Sequence, residues 1–227
     1  MNIISIIPAR GGSKRIPKKN IKLLAGKPLI AYTIEASLNS KFINKTIVST
    51  NDEEIAAIAK KYGAEVIVRP QEIAGDNSST EDALIHVIEE LEKQGQQISH
   101  VVLLQPTSPL RKTEDIDKGI NLALETNSDS VLSVCEIQHH YLTGEFKEEA
   151  YSLDYSKRPF SQTMPKKYRE NGAIYITKKN LLTKNKNRLG GKIKAIVMNE
   201  IDSIDIDEIY DFELIEKIIK GDYYEGN

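Results

Sequence analysis

The sequence predicts an α/β fold in which helices cover both faces of a doubly wound, mainly parallel β-sheet. Short runs of β-branched and other apolar residues, the first beginning at Ile3, are typical of strands that are buried on both faces. These runs alternate with segments whose apolar residues recur at helical spacing, and that alternation indicates right-handed crossovers. The 227 residues suffice for one such domain, so we predict a single domain over 1–227.

The first predicted strand leads into a loop rich in glycine and cations. Pro8 ends the strand, and Gly11 and Gly12 follow, which permit backbone conformations closed to other residues and close approach to a ligand. The cations of the loop are Arg10, Lys14, Arg15, Lys18 and Lys19. Ligands of open α/β sheets bind beyond the carboxyl ends of strands, where N–H groups and basic side chains suit phosphate oxygens. We therefore interpret the loop as a triphosphate site.

A solvated basic loop is the alternative interpretation, and the buried strand in front of the loop favours the phosphate site. Two familiar phosphate-binding motifs are excluded. No G-x-G-x-x-G occurs, and the Gly26-Lys27 pair is followed by Pro28 and has Ile21 where a Walker A loop has its first glycine.

The alternation of strands and helices continues along the chain. Pro28 suits the first position of a helix, Asn51 and Asp52 suit a helix N-cap, and Ser79 and Thr80 are N-cap residues ahead of another helix. The expected helices are 28–38, 53–62, 81–93, 113–126 and 208–219. The expected strands after the first are 45–50, 65–68, 100–105, 130–136, 168–179 and 194–198.

Polar side chains are expected at the edge of the sheet that carries the loop. Gln105 ends a predicted strand at the same edge as Arg10, and its amide can donate to and accept from a base or a sugar. Segment 203–207 reads SIDID, and in a strand Asp205 and Asp207 would point to one face. Two such carboxylates, together with substrate phosphates, are suitable ligands for Mg²⁺. The alternative interpretation of the segment is an exposed strand edge with acidic residues.

Composition limits the partners. The net charge of −2 gives no reason to expect nucleic acid or a membrane as partner. Twelve Lys/Arg against one acid lie between 156 and 194, and they suit a nucleic-acid patch, substrate anions or plain solvation.

The sole cysteine, Cys135, is expected in the core and suits a reducing compartment. No 18-residue apolar segment or signal peptide is recognised, so we expect a cytoplasmic protein. We assign no metal to His139 and His140, which lack a third ligand.

Two segments, IPARGGSKRIPKKNIKLLAGKPLI and LLQPTSPLR, resemble the signatures of the acylneuraminate cytidylyltransferase (CMP-sialic acid synthetase) family. The resemblance extends over nearly the whole chain. It implies a Rossmann-like nucleotide-binding topology and transfer of CMP from CTP to the anomeric hydroxyl of a nine-carbon 2-keto-3-deoxy sugar acid, with release of pyrophosphate. It also implies a homodimer, formed through an excursion at 137–167 that partly closes the neighbouring site.

Site residues are predicted from the loop, from the acidic pair and from this resemblance. Arg10, Lys19 and Asp207 are the predicted catalytic residues, and Asp205 and Asp207 the predicted Mg²⁺ ligands. The predicted nucleotide-binding residues are Ala9, Arg10, Gly11, Gly12, Ser13, Lys19, Asn20, Arg69, Ser79 and Thr80. The predicted sugar-binding residues are Gln105, Asn171 and Tyr175.

The chain departs from this pattern at Thr143 and Ser161, where members specific for sialic acid tend to have lysine and arginine. Arg158 or Lys157 substitutes only if the loop is shifted. The acceptor is therefore open between sialic, legionaminic, pseudaminic and eight-carbon Kdo-like acids. A different nucleotidyltransferase and a non-catalytic nucleotide-binding protein are the alternatives from other classes.

Overall fold

The computed structural model describes residues 1–75, 78–137, 160 and 165–222, and the backbone of 142–143 and 152–153. The strands are β1 (Ile3–Pro8), β2 (Leu23–Leu24), β3 (Lys27–Pro28), β4 (Lys45–Thr50), β5 (Glu65–Val68), β6 (His100–Leu104), β7 (Ser130–Ile137), β8 (Leu142–Thr143), β9 (Ser152–Leu153), β10 (Lys167–Lys178) and β11 (Ile193–Met198). The helices are α1 (Leu29–Leu38), α2 (Glu53–Lys61), α3 (Thr80–Lys93), α4 (Thr113–Thr126), α5 (Lys179–Asn185) and α6 (Ile209–Lys220).

The main sheet confirms the doubly wound, mainly parallel prediction. Among the described strands, seven form this sheet in the order β11-β7-β10-β6-β1-β4-β5. Strand β10 is antiparallel to β6 and β7, and the other neighbours are parallel. The chain first winds outward from β1 through β4 to β5 and then continues on the other side of β1 with β6. This reversal creates a crevice at the carboxyl ends of β1 and β6, where ligands bind in such sheets.

Two apolar layers cover the faces of the sheet, which explains the β-branched run of β1. Ile3 and Ile7 face a layer with Ile30 of α1, and Ile116 of α4 belongs to the same layer. Ile4 and Ile6 face the opposite layer, which contains Leu84 of α3 and Leu182 of α5. Because successive strand residues point to opposite faces, a strand covered on both sides needs apolar residues at nearly every position.

A third apolar cluster lies beside the basic loop and positions it. Ile16 of the loop and Leu29 of α1 pack there with Ile206 and with Phe212 and Ile215 of α6. This cluster joins residues from the beginning and the end of the chain. It therefore holds the segment that carries Asp205 and Asp207 next to the loop.

Most predicted elements agree with the structure to within one or two residues, and Asp52 caps α2 by accepting from Ile55 N at 3.0 Å. Two local predictions are wrong, and one helix was missed. Pro28 is the N-cap of α1 and not its first helical residue, because it pairs with Leu23 in the β2–β3 hairpin. Helix α5 had not been predicted. Segment 203–207 is no strand, since Ile206 N donates to Thr107 O and its side chain packs on α6.

The predicted excursion at 137–167 and the pair His139–His140 lie wholly or largely outside the described residues. Strands β7 and β10, which flank the excursion, are antiparallel neighbours. Across the part of the chain that is described, no helix is both long and apolar enough to span a membrane.

Candidate active site

A cleft of about 580 Å³ opens at the carboxyl edge of the sheet, where Pro8 ends β1 and Gln105 follows β6. The structure brings many of the predicted site residues together around it: Arg10, Ser13, Lys19, Asn20, Arg69, Ser79, Thr80, Gln105 and Asp207. The remaining lining residues are Pro8, Lys14, Arg15, Ile16, Ser78, Pro106 and Thr107.

Two arginines form a basic wall of the cleft. Arg69 directly follows β5 and is buried, and its Nη2 and Nε donate to Ser49 O at 2.9 Å and Ser49 Oγ at 3.2 Å in the neighbouring strand β4. Burial, and then the charge of Arg10, lowers the pKa of Arg69 to about 10, so it stays protonated at neutral pH. Arg10 Nη1 donates to Gly75 O at 3.1 Å. An anion between the two guanidinium groups would relieve their repulsion.

The glycines of the loop differ from the prediction. Neither Gly11 nor Gly12 has a positive φ. Gly11 is needed for another reason, because a β-carbon there would lie 2.5 Å from Asp52 Oδ2. Gly11 N donates to Asn51 Oδ1, and Ser13 N donates to Gly11 O. These two amides would have to exchange partners before they could bind phosphate.

Lys19 connects the basic loop to the acidic segment, which is residues 203–207 and contains Asp205 and Asp207. Its Nζ donates to Ile206 O at 2.7 Å, and this carbonyl lies between Asp205 and Asp207 in the chain. Burial lowers the pKa of Lys19, while the charges of the two aspartates raise it. Asn20, the next residue, is buried and donates to Arg10 O at 3.0 Å. The side chains of Lys19 and Asn20 thus bind the backbone of the acidic segment and that of the loop at Arg10.

The aspartates lie close enough to influence each other. Burial raises the pKa of Asp205, and the charge of Asp207 raises it further, against hydrogen bonds from Thr107 and Ser108 and the charge of Lys19. Ser108 Oγ donates to Asp205 Oδ1 at 3.3 Å. Asp207 is exposed and lies 3.2 Å from Arg15 Nη1. A half-buried carboxylate beside a second one fits the hard oxygen ligands of Mg²⁺. The described residues contain no cluster of three or more potential ligands, so substrate oxygens would have to complete such a site.

Gln105 lines the cleft, and neighbouring residues hold both its side chain and its backbone carbonyl. Its Oε1 accepts from Thr107 Oγ1 at 3.5 Å, and its side chain lies against Gly172, where a β-carbon would come within 3.8 Å of Nε2. The carbonyl of Gln105 accepts from Arg111 Nη1 at 3.1 Å. The free edge of the amide is therefore available to a ligand.

Asn171 and Tyr175 do not line the cleft. Asn171 is buried, accepts from Ser133 Oγ at 2.5 Å and donates to Ser203 Oγ at 2.9 Å. Tyr175 is buried against α3 and α5, and its hydroxyl donates to Glu170. Ala9 is buried as well and donates its N–H to Ser49 O. The predicted contacts of these residues with substrate remain predictions. Ser161 and the side chain of Thr143 lie outside the described residues.

Arg111 supports the site and had not been assigned any role. It is 3% exposed, its Nη1 also donates to Ala173 O at 3.0 Å, and its Nη2 donates to Thr33 Oγ1 at 2.7 Å. Burial lowers its pKa to about 10. It therefore joins the end of β6 to the middle of β10 and the middle of α1. Its position in LLQPTSPLR was the available signal, but no periodicity marks an arginine as buried.

The fold and this cleft define an α/β protein with a cleft lined by basic residues at the switch point of its sheet. The family model described as cytidylyltransferase matches residues 4–226, and the chain belongs to that family.

Several relatives are similar over most of the chain. An N-acylneuraminate cytidylyltransferase of Escherichia coli O18:K1:H7 is 37% identical over 93% of the chain and 51% of its own length. A CMP-N,N'-diacetyllegionaminic acid synthase of Legionella pneumophila is 36% identical over 97% of both chains. A pseudaminic acid cytidylyltransferase of Campylobacter jejuni is 38% identical over 78% of both. The chain thus spans about half of the first relative and nearly all of the second.

The fold has a counterpart among solved structures. A CMP:2-keto-3-deoxy-manno-octonic acid synthetase complexed with CTP matches with a TM-score of 0.75 over 98% of this chain and all of the other, at 15% identity. At that identity the similarity establishes the fold alone.

Proposed function

We propose that the protein transfers CMP from CTP to the anomeric hydroxyl of a nine-carbon 2-keto-3-deoxy sugar acid and releases pyrophosphate. Family membership and the relatives named above support this proposal. The observation that carries it is the lining of the cleft, which combines the cations Arg10, Lys19 and Arg69 with the carboxylate of Asp207. Lys19 Nζ donates to Ile206 O and so ties the basic loop to the segment that contains Asp205 and Asp207.

The reaction is an attack of the sugar hydroxyl on the α-phosphate, after which pyrophosphate leaves. Negative charge accumulates on phosphate oxygens, so the protein has mainly to position the reactants and stabilise that charge. Arg10, Lys19 and Arg69 supply this stabilisation in the proposal. Arg69 and Lys19 are held by hydrogen bonds to backbone carbonyls, and such fixed donors need little reorganisation as the charge develops.

Mg²⁺ is part of the proposal, with Asp205 and Asp207 as its protein ligands. A bound Mg²⁺ would supply positive charge to the phosphate oxygens. Burial of Asp205 beside Asp207 supports this assignment, because two interacting carboxylates are stabilised by a cation between them. We also propose that the chain acts as a homodimer, which sedimentation or light scattering would test.

The acceptor is proposed to be a nonulosonic acid of the sialic or legionaminic type. The Legionella relative matches along nearly its whole length, which favours the legionaminic type. The Campylobacter relatives make a pseudaminic acid the second candidate.

Pyrophosphate release tests the proposal directly. We expect release with CTP but not with ATP, GTP or UTP, and with one member of a panel of sialic, legionaminic, pseudaminic and Kdo-type acids. Chelation of divalent metal should abolish it. CTP binding without release from any acid would contradict the catalytic proposal and favour a nucleotide-binding protein.

Asp207→Ala separates catalysis from binding. We expect a loss of more than about 100-fold in turnover, with CTP binding in the absence of metal retained. Glu213→Ala is the matched control, because it removes one exposed carboxylate from α6 away from the cleft. Equal activity of the two variants would contradict the role assigned to Asp207.

A further inference from the structure

An ion pair outside the cleft holds helix α3, which begins in the cleft lining formed by residues 78–80. Arg188 Nε and Nη2 donate to Glu81 Oε1 and Oε2 at 2.7 and 3.2 Å. The two side chains are only 21% and 14% exposed. A two-bond guanidinium–carboxylate pair of this kind is both strong and specific in orientation.

In the chain, Glu81 directly follows residues 78–80, which form one wall of the cleft. Ser78, Ser79 and Thr80 line the cleft, Ser79 is the N-cap of α3, and Glu81 belongs to the first turn of that helix. Helix termini fray unless they are held by side chains. An anchor on Glu81 therefore restrains the cleft-lining residues one to three positions before it.

Arg188 is itself anchored to the main sheet. Its carbonyl accepts from Thr177 Oγ1 of β10 at 2.6 Å, and its guanidinium lies 5.0 Å from the ring centre of Tyr175 in the same strand. Arg188 thus ties the first turn of α3 to β10 through one side chain and one backbone contact.

We propose that Arg188 is a positioning residue, which holds the first turn of α3, and with it the 78–80 wall of the cleft, in place for the nucleotide. This inference rests on the proposed function, since it concerns the CTP side of the same site. Arg188 needs no contact with substrate, because it acts through Glu81.

The chain offers a matched control in a second ion pair on the same helix. Lys179 Nζ lies 2.6 Å from Glu92 Oε1, and these side chains are 22% and 41% exposed. This pair ties the last turns of α3 to α5, at the end of the helix remote from the cleft. Loss of either pair removes an anchor of α3, but only the Arg188–Glu81 pair lies next to the cleft wall.

The test measures the Kd for CTP by calorimetry, the KM for CTP and for the acid, kcat, and the Tm. We expect Arg188→Met and Glu81→Gln each to raise the Kd and KM for CTP about tenfold, with kcat and the KM for the acid changed much less. The double variant should bind CTP no more weakly than the worse single variant. Arg188→Lys should recover only part of the affinity, because lysine lacks the planar fork. Lys179→Met should lower the Tm and leave the Kd for CTP unchanged.

Three outcomes would overturn the inference. An Arg188→Met protein that binds CTP as tightly as the parent would show that the pair is merely structural. Tighter CTP binding by Glu81→Gln would show that Arg188 acts by neutralising a nearby carboxylate and not by positioning. A parent protein that binds no CTP would overturn the proposed function and this inference with it.

Discussion

At Gly11 the backbone passes so close to the side chain of Asp52 that there is no room for a β-carbon. Gly11→Ala would place that atom 2.5 Å from Asp52 Oδ2, which must shift although Oδ1 of the same carboxylate caps α2. We expect a loss of about 1–3 kcal/mol in the free energy of unfolding and about tenfold weaker CTP binding. Urea denaturation and calorimetry would measure both.

Gly12 provides the control for this substitution, because no atom lies within 4 Å of a β-carbon built there. Gly12→Ala should change stability by less than about 0.5 kcal/mol. If the two alanine variants behaved alike, crowding against Asp52 would not be the reason for glycine at position 11.

Asp205 makes stability depend on pH. Burial and the charge of Asp207 raise its pKa in the folded state, so the native protein binds a proton more readily than the unfolded chain. The free energy of unfolding should therefore fall as the pH rises from the usual carboxyl range through the raised pKa of Asp205. Asp205→Asn should remove this part of the pH dependence and raise the Tm near neutral pH by about 2–4 °C.

The same substitution should abolish turnover, because the proposed metal site loses a ligand. Thermal unfolding at several pH values, with Glu213→Gln as control, would measure the stability effect. A variant that is destabilised equally at every pH would show that the Asp205 carboxylate is stabilising and not strained by burial.

At the scale of elements, the pairing of β10 with β7 is irregular, and the irregular stretch of β10 links the sheet to the acidic segment. The register between β10 and β7 shifts between Glu170 and Tyr175, and Asn171 in this stretch bonds to Ser133 of β7 and to Ser203. Ser203 comes two residues before Asp205. This buried amide thus adds to the apolar cluster around Ile206 and to the bond from Ile206 N to Thr107 O in holding the acidic segment on the sheet.

Asn171→Ala should therefore lower the free energy of unfolding by about 2–3 kcal/mol, because the hydroxyl groups of Ser133 and Ser203 each lose one hydrogen bond and Ala173 N loses its acceptor. Ser203→Ala should cost about 1 kcal/mol. Chemical denaturation measures both effects. A stable Asn171→Ala protein that has lost only affinity for the acid would contradict this structural role and favour the predicted sugar contact.

At the scale of the whole molecule, the apolar layers on both faces of one sheet share its strands. We therefore expect a single cooperative unfolding transition, with coincident far- and near-UV circular dichroism. CTP at about 100 times its Kd should stabilise the protein by about 2.7 kcal/mol, which corresponds to roughly 5–10 °C in Tm. GTP serves as the control, because it carries the same triphosphate. An equal shift with GTP would mean that the cleft recognises phosphates without the base.

Local patterns in the sequence determined most of the secondary structure and the edge of the sheet at which the cleft lies. Apolar runs, helical spacing and capping residues such as Asp52 and Ser79 act over a few neighbouring residues, so the bounds of most strands and helices could be predicted from them. The Gly/basic loop and Gln105 could be placed at one edge of the sheet, because parallel strands bring their carboxyl ends together.

Only the tertiary structure decided how these parts meet. Lys19 bonds to Ile206 O across 187 positions of the chain, and Arg188 reaches Glu81 across 107. The burial of Arg111 and Asn171 and the contact of Gly11 with Asp52 likewise depend on packing between distant segments. No local periodicity encodes such contacts, because they form only after the apolar layers have brought the segments together.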